Sequence, residues 1–227
     1  MAVALIVAAG RGERLKLDTP KALVTVAGKP LVQWSLDTVR SLDAVTDIAL
    51  ALPPEIMARA GEEFPGVKCV AGGAVRSQSV RAALHAVGRG APVIVHDAAR
   101  PLAPATVFAA ALQEIERHRV DAVIAAAALA DTVKEIGGDG HTVRRTLERT
   151  RLWAAQTPQV FRREALERVL RDSPEEVLAA ATDEAWLIER AGGAVRIVAS
   201  YELNFKVTTQ TDLRLAELLL AGAGLAL

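Results

Sequence analysis

With 227 residues, 51% of them hydrophobic, the chain can form one domain with a sizeable core, or one domain with an appendage. Its 27 Lys and Arg balance 27 Asp and Glu, which excludes a general nucleic-acid binder resting on a basic excess and leaves anion binding to local clusters of cations. A lone cysteine, Cys69, excludes an internal disulfide and reads as apolar filler beside Val67 and Val70.

In chain order, residues 2–9 form a continuous apolar run, and Gly10-Arg11-Gly12-Glu13-Arg14 follows at once, with Pro20-Lys21 shortly after. A short apolar run bounded by glycines reads as a buried strand of a parallel sheet. Ligands of open α/β sheets bind past the carboxyl ends of the strands, so this strand delivers a glycine loop, two arginines and a lysine to such a place. The loop fits neither the Walker pattern nor the dinucleotide fingerprint, whose third glycine is replaced by Leu15. Alone it reads equally as a phosphate cradle or as a glycine turn with surface cations.

Residues 31–42 carry apolar side chains at helical spacing. A strand over 46–52 is closed by Pro53-Pro54, which starts a helix through 64. A short strand at 67–71 leads through Gly72-Gly73 into a helix over 76–87. Then come a strand at 92–96, a helix over 104–118 and a buried strand at 122–129. This alternation predicts an α/β domain with a mostly parallel sheet and helices on both faces. Between 130 and 152 the pattern breaks. Two alternating segments around Gly137-Gly138-Asp139-Gly140 read as a hairpin with few apolar residues. A lone hairpin is marginal in water, so it is expected to project as an arm, at about 131–151, held by a partner subunit. A simple surface hairpin is the alternative. Helices at 162–171 and 182–191, a strand at 194–199 and a closing helix at 209–220, capped by Thr209 or Thr211, complete the chain. The apolar stretches 122–130 and 218–227 are far shorter than the ~20 residues of a membrane span. With no cationic leader in view, a cytoplasmic protein is expected.

Four further stretches fall at predicted strand ends or beside the arm. Gly72-Gly73 with Ser77 and Ser79 could meet an anion or a nucleotide's polar edge, or form a plain turn. His96-Asp97-Ala98-Ala99-Arg100-Pro101 ends an apolar strand in a carboxylate, a hard ligand suited to magnesium held by phosphates, or else a turn cap. His96 alone reads as structural. Arg149 with Trp153 and Thr157-Pro158-Gln159 is the third stretch, and Asn204-Phe205-Lys206-Val207-Thr208 the fourth. No Ser-His-Asp arrangement or zinc spacing is present. Gathered cations with one carboxylate suit phosphoryl or nucleotidyl transfer, in which positioning and charge stabilisation do most of the catalysis.

On these residues, with Arg76, Asp131-Thr132, Leu152-Trp153 and Thr182-Asp183-Glu184-Ala185, the chain resembles the 2-C-methyl-D-erythritol 4-phosphate cytidylyltransferase family along essentially its whole length. The resemblance implies a single Rossmann-like nucleotidyltransferase domain spanning 1–227 with an inserted β-hairpin dimerisation arm. It implies transfer of CMP from CTP to a sugar-alcohol phosphate, with magnesium, in a cytoplasmic homodimer that has no nucleic-acid or membrane partner. By the same resemblance, Ala8, Ala9 and Gly10 line the CTP site, and Gly72, Ser79 and Ala98 lie at the cytidine. Arg14 and Lys21 stabilise the transition state, and Asp97 holds magnesium. Arg100, Thr132 and Thr157 complete the acceptor site, where Arg149 and Lys206 position the acceptor phosphate. Ala74 and Trp186 depart from the family's pattern. The first is expected to rest base selection more on backbone groups, and the second should alter packing rather than chemistry. Two rivals stay open: a cytidylyltransferase for another polyol phosphate, such as ribitol 5-phosphate, and a non-catalytic nucleotide-binding regulator.

Overall fold

The computed structural model describes residues 1–10, 12, 15, 19–200 and 203–222. Its frame begins with β1 (Ala2–Val7), where side-chain alternation splits a wholly apolar run between two cores. Ala2, Ala4 and Ile6 face one core and Val3 and Leu5 the other, as a strand buried on both faces requires. Parallel partners flank it: β4 (Val45–Leu52) on one side and β6 (Val93–Asp97) on the other. Beyond β4 lies β5 (Lys68–Ala71), also parallel.

The helices sort onto the two faces by their apolar stripes. α1 (Leu31–Arg40), α2 (Met57–Glu63) and α4 (Ala105–Arg117) cover one face with Val32, Leu36, Ala60, Phe108 and Ile115. The other face is covered by α3 (Arg76–Ala86), α5 (Arg163–Asp172), α6 (Glu175–Ala180) and α7 (Glu184–Arg190), through Val80, Leu166, Leu178 and Leu187. A third, small cluster joins α8 (Gln210–Ala221) to the hairpin of β2 (Thr25–Val26) and β3 (Lys29–Pro30). Thr209 caps α8 in a capping box with Asp212, which settles the choice between Thr209 and Thr211.

The far half of the sheet differs from expectation. The sequence pattern marks residues 153–161 only as carriers of site residues. They form a nine-residue strand, β10 (Trp153–Phe161), antiparallel between β6 and β7 (Ala122–Ala128). Its buried half, Gln156 to Phe161, is rich in polar side chains, and a proline at 158 argues against a central strand. A break in the register between Ala155 and Gln159 accommodates the proline. With β11 (Val195–Ala199) at the edge, the order among the described residues is β11-β7-β10-β6-β1-β4-β5. The sheet is mostly parallel, as expected, but the antiparallel strand is what supports the site from below. α6 and the β2–β3 hairpin are likewise additions to the expected order.

The expected arm is present as β8 (Lys134–Ile136) paired with β9 (Val143–Thr146), a separate two-stranded sheet. Its turn is held by Asp139, which accepts from the N–H groups of His141 and Thr142. Glu135 pairs with Arg144 and Arg145, and Ile136 and Val143 are exposed. No helix among the described residues is long and apolar enough to cross a membrane.

Candidate active site

The carboxyl ends of β1, β4, β5 and β6 share one rim of the sheet, where an open cleft of about 860 Å³ runs between their loops. Each wall has a local cause. Ala8 N–H donates to Ala51 O at 2.8 Å and Ala98 N–H to Val7 O at 3.1 Å, so both alanines are stitched into the sheet and their amides are already used. Among the described residues the amides of Ala9 and Gly10 have no acceptor, which leaves them as the loop's donors toward a ligand. Gly72 lies so close to this loop that an added Cβ would sit 2.2 Å from the Ala9 Cβ, and only glycine permits that approach. Ser79 Oγ accepts from Gly73 N–H at 3.1 Å and shapes the second loop from beneath. Gly12, at φ +68°, folds back over Lys21, where a Cβ would lie 2.7 Å from the Lys21 Cβ.

Asp97 is the carboxylate on which the cleft's charge network turns. Lys206 Nζ lies 2.7 Å from Oδ2, while Arg76 approaches Oδ1 with Nη2 at 3.1 Å and Nε at 3.3 Å. Burial by itself would raise the Asp97 pKa, but the charges of Arg76 and Lys206 outweigh it and hold the carboxyl well below the usual range. The group is therefore ionised although only 9% of its side chain is exposed. Arg76 also pairs through Nη1 with Oε2 of Glu184, whose side chain is 1% exposed.

Behind this network, Asp97 N–H donates to Thr157 Oγ1 at 3.0 Å, and the same oxygen lies 2.9 Å from His96 Nδ1. Burial pushes the His96 pKa down to about 4, so the ring is neutral and packs on Phe108, a structural role as expected. Arg100 donates through Nη1 to Asn204 O at 2.6 Å. Asn204 Nδ2 donates to Gln156 Oε1 and Thr157 O, both at 3.0 Å, which ties the 203–208 segment onto β10. Val207 N–H donates to Ala99 O at 2.8 Å and brings Lys206 alongside Asp97.

The structure brings most of the sequence candidates together. Ala8, Ala9, Gly10, Gly72, Ser79 and Ala98 line the cleft. So do Lys21, Asp97 and Lys206. Arg100 and Thr157 lie behind it, where their polar atoms hold β10 and the 203–208 segment. Thr132 and Arg149 lie on or beside the exposed arm and do not line the cleft of their own chain. Arg14 lies outside the described residues. Sequence reasoning assigns no role to Arg76 or Glu184, although both stand in motifs that carry the family resemblance. Their pairing spans 108 residues, and no local pattern could signal it.

Comparison with known proteins decides the family. The model of the IspD family, 2-C-methyl-D-erythritol 4-phosphate cytidylyltransferase, matches residues 2–222. The chain belongs to the IspD family. A family enzyme of Frankia casuarinae is 44% identical over 221 residues, covering 96% of this chain and 80% of the relative. One of Nocardia farcinica is 41% identical over 222 residues, 96% of this chain and 93% of the relative. The solved cytidylyltransferase of Thermus thermophilus superposes with a TM-score of 0.79 at 31% identity, over 97% of this chain and 99% of that one. That of Francisella tularensis gives 0.81 at 28% identity, over 96% and 98%. Against this IspD background the two departures are now placed. Ala74 lines the cleft, its N–H held by Gln78 Oε1 at 3.0 Å. Trp186 packs against the core under Arg190, 5.6 Å from its ring centroid.

Proposed function

We propose that this chain transfers the cytidylyl group of CTP to the phosphate of 2-C-methyl-D-erythritol 4-phosphate, giving 4-diphosphocytidyl-2-C-methyl-D-erythritol and pyrophosphate. The reading is supported by the family match together with one observation: an ionised, buried carboxylate stands between Arg76 and Lys206 in the same cleft as Lys21 and the Gly72 loop. We further propose a cytoplasmic homodimer in which Thr132 and Arg149 of one arm complete the acceptor side of the other subunit's cleft.

The acceptor is a phosphate monoester with a second pKa near ~6, so it is largely a dianion at neutral pH and needs no base. One of its oxygens attacks the α-phosphorus of CTP in line. A P–O bond forms there as the bond to the bridging oxygen breaks, and pyrophosphate leaves with the electron pair. The barrier is the mutual repulsion of two anions and the charge that builds on the α-phosphate. Lys21 and Arg14 offset that charge on the nucleotide side, and Lys206 and Arg149 hold the acceptor phosphate, with Arg100 bracing the 203–208 segment that carries Lys206. Ala9 and Gly10 offer their amides to the nucleotide, with Ala8, Gly72, Ser79 and Ala98 shaping the wall against the cytidine.

A divalent cation fits this donor set. Among the described residues no group of three or more His, Cys, Asp or Glu could hold a metal. That suits magnesium, which binds through one or two carboxylates plus substrate phosphates, and Asp97 supplies the carboxylate. When bound, the metal would screen phosphate charge at the reacting centre.

The test is incubation with CTP, magnesium and either methylerythritol phosphate or ribitol 5-phosphate, following pyrophosphate release and the cytidine diphosphate adduct. Rapid release with the first acceptor alone is expected. Preference for ribitol 5-phosphate would reassign the acceptor, and binding of CTP without turnover on either would make the chain a nucleotide-binding regulator.

A further inference from the structure

Two features of the charge network are unexplained by the transfer chemistry alone. Glu184 is a carboxylate with a side chain only 1% exposed, at the first turn of α7, on the far side of Arg76 from the cleft. Arg76 spends its guanidinium asymmetrically: Nη1 on Glu184 Oε2, and both Nε and Nη2 on a single oxygen of Asp97, Oδ1. Among the described residues the other oxygen, Oδ2, meets Lys206 alone, whose side chain is 42% exposed, on a segment that lines the cleft.

The two ends of this chain of charges therefore differ in kind. On the core side, a buried carboxylate needs a partner, and among the described residues Arg76 is the one that Glu184 pairs with. Glu184 starts from a held backbone, because the N-terminus of α7 is fixed by its Asp183 cap, which accepts from Trp186 N–H at 2.8 Å and from Gln159 Nε2 at 2.8 Å. On the cleft side, a long and half-exposed lysine is free to exchange partners. The guanidinium is a rigid planar fork, so fixing one arm fixes the direction of the others.

We infer that Glu184 is a positioning residue for the transfer reaction: it anchors Arg76, and Arg76 holds Asp97 by Oδ1 so that only Oδ2 is presented to the cleft. Lys206 guards that oxygen until a ligand takes its place. This rests on the proposed cytidylyl transfer, since it concerns how that site is held. Arg76 and Glu184 act through Asp97.

The test has a spectroscopic arm and a kinetic arm. Glu184→Gln keeps the shape of the side chain and removes its charge, and Arg76→Lys keeps the charge but removes the fork. In the wild type, one arginine Nε–H should exchange slowly with water and be missing in Arg76→Lys. In Glu184→Gln it should exchange as fast as those of exposed arginines. In kinetics, Glu184→Gln and Arg76→Lys should each lower kcat roughly 10- to 100-fold, as expected for a small misplacement of a reacting group, while KM for CTP stays within about twofold. In an Arg76→Met background, adding Glu184→Gln should change kcat no further, because the glutamate then has nothing to position. An unchanged Nε–H exchange rate in Glu184→Gln overturns the inference. So does a kcat within about twofold of wild type in both single variants, or a double variant in which the two losses add. A wild-type chain that releases no pyrophosphate sinks the proposed function, and the inference with it. Failure of the variants alone leaves that function standing.

Discussion

The cleft rim and the hairpin arm stand at opposite extremes of the same molecule. At the rim, charged groups are buried or half-buried, paired across long sequence separations and backed by both cores. On the arm, the ion pairs of Glu135 with Arg144 and Arg145 are local and solvent-exposed, and such pairs contribute little to stability. Its apolar side chains, Ile136 and Val143, face outward. The rim is organised by its own chain, whereas Thr132 and Arg149, on or beside the arm, do not line the cleft of their own chain. On the function proposed above, the nucleotide half of the site would be built within one subunit and the acceptor half finished by another.

The comparison can be broken most sharply at Asp97. Asp97→Asn should lower turnover by about 10²–10³-fold, measured as pyrophosphate release, because the rim loses an anion in contact with Lys206 and one oxygen that could hold a metal. Lys21→Ala and Arg14→Ala should each lower kcat on the order of 10²-fold while CTP affinity changes far less. Near-normal turnover in both would remove them from the triphosphate. Glycines separate the two regions by stability. Gly72→Ala drives a Cβ into Ala9 and should cost about 1–3 kcal/mol in urea unfolding, with weaker CTP binding. Gly138→Ala, in the arm's turn with nothing within 4 Å of the added carbon, should stay within about 0.5 kcal/mol. Finally, mixing and re-equilibrating inactive Asp97→Asn with inactive Arg149→Ala should restore about a quarter of wild-type activity if the arm serves its partner's cleft, since random exchange leaves one intact site in each mixed dimer. No recovery would return Arg149 to its own subunit.

Much of this is legible in the sequence because parallel sheets write themselves plainly. β1, β6 and β7 are short apolar runs, and each ends at the rim, so the glycines, Lys21 and Asp97 can be gathered from the order of residues alone. β10 is not legible. Its buried half carries Gln156, Thr157 and Gln159, which hydrogen-bond with Asp97, His96, Asn204 and Asp183, partners that only the fold supplies. The same holds for Arg100, which the family resemblance implies in the acceptor site and which here donates to the carbonyl of Asn204. Arg76 and Glu184 sit within recognisable motifs, yet an ion pair between distant elements has no period and no spacing.

The most direct test of the whole account is a crystal structure of the chain with CTP and magnesium. The account predicts the triphosphate along the loop after β1 against Lys21, the metal at Oδ2 of Asp97, and Lys206 drawn off that oxygen toward the space for the acceptor. A structure in which CTP binds elsewhere, with Lys21, Asp97 and Lys206 facing separate patches of solvent, would contradict it.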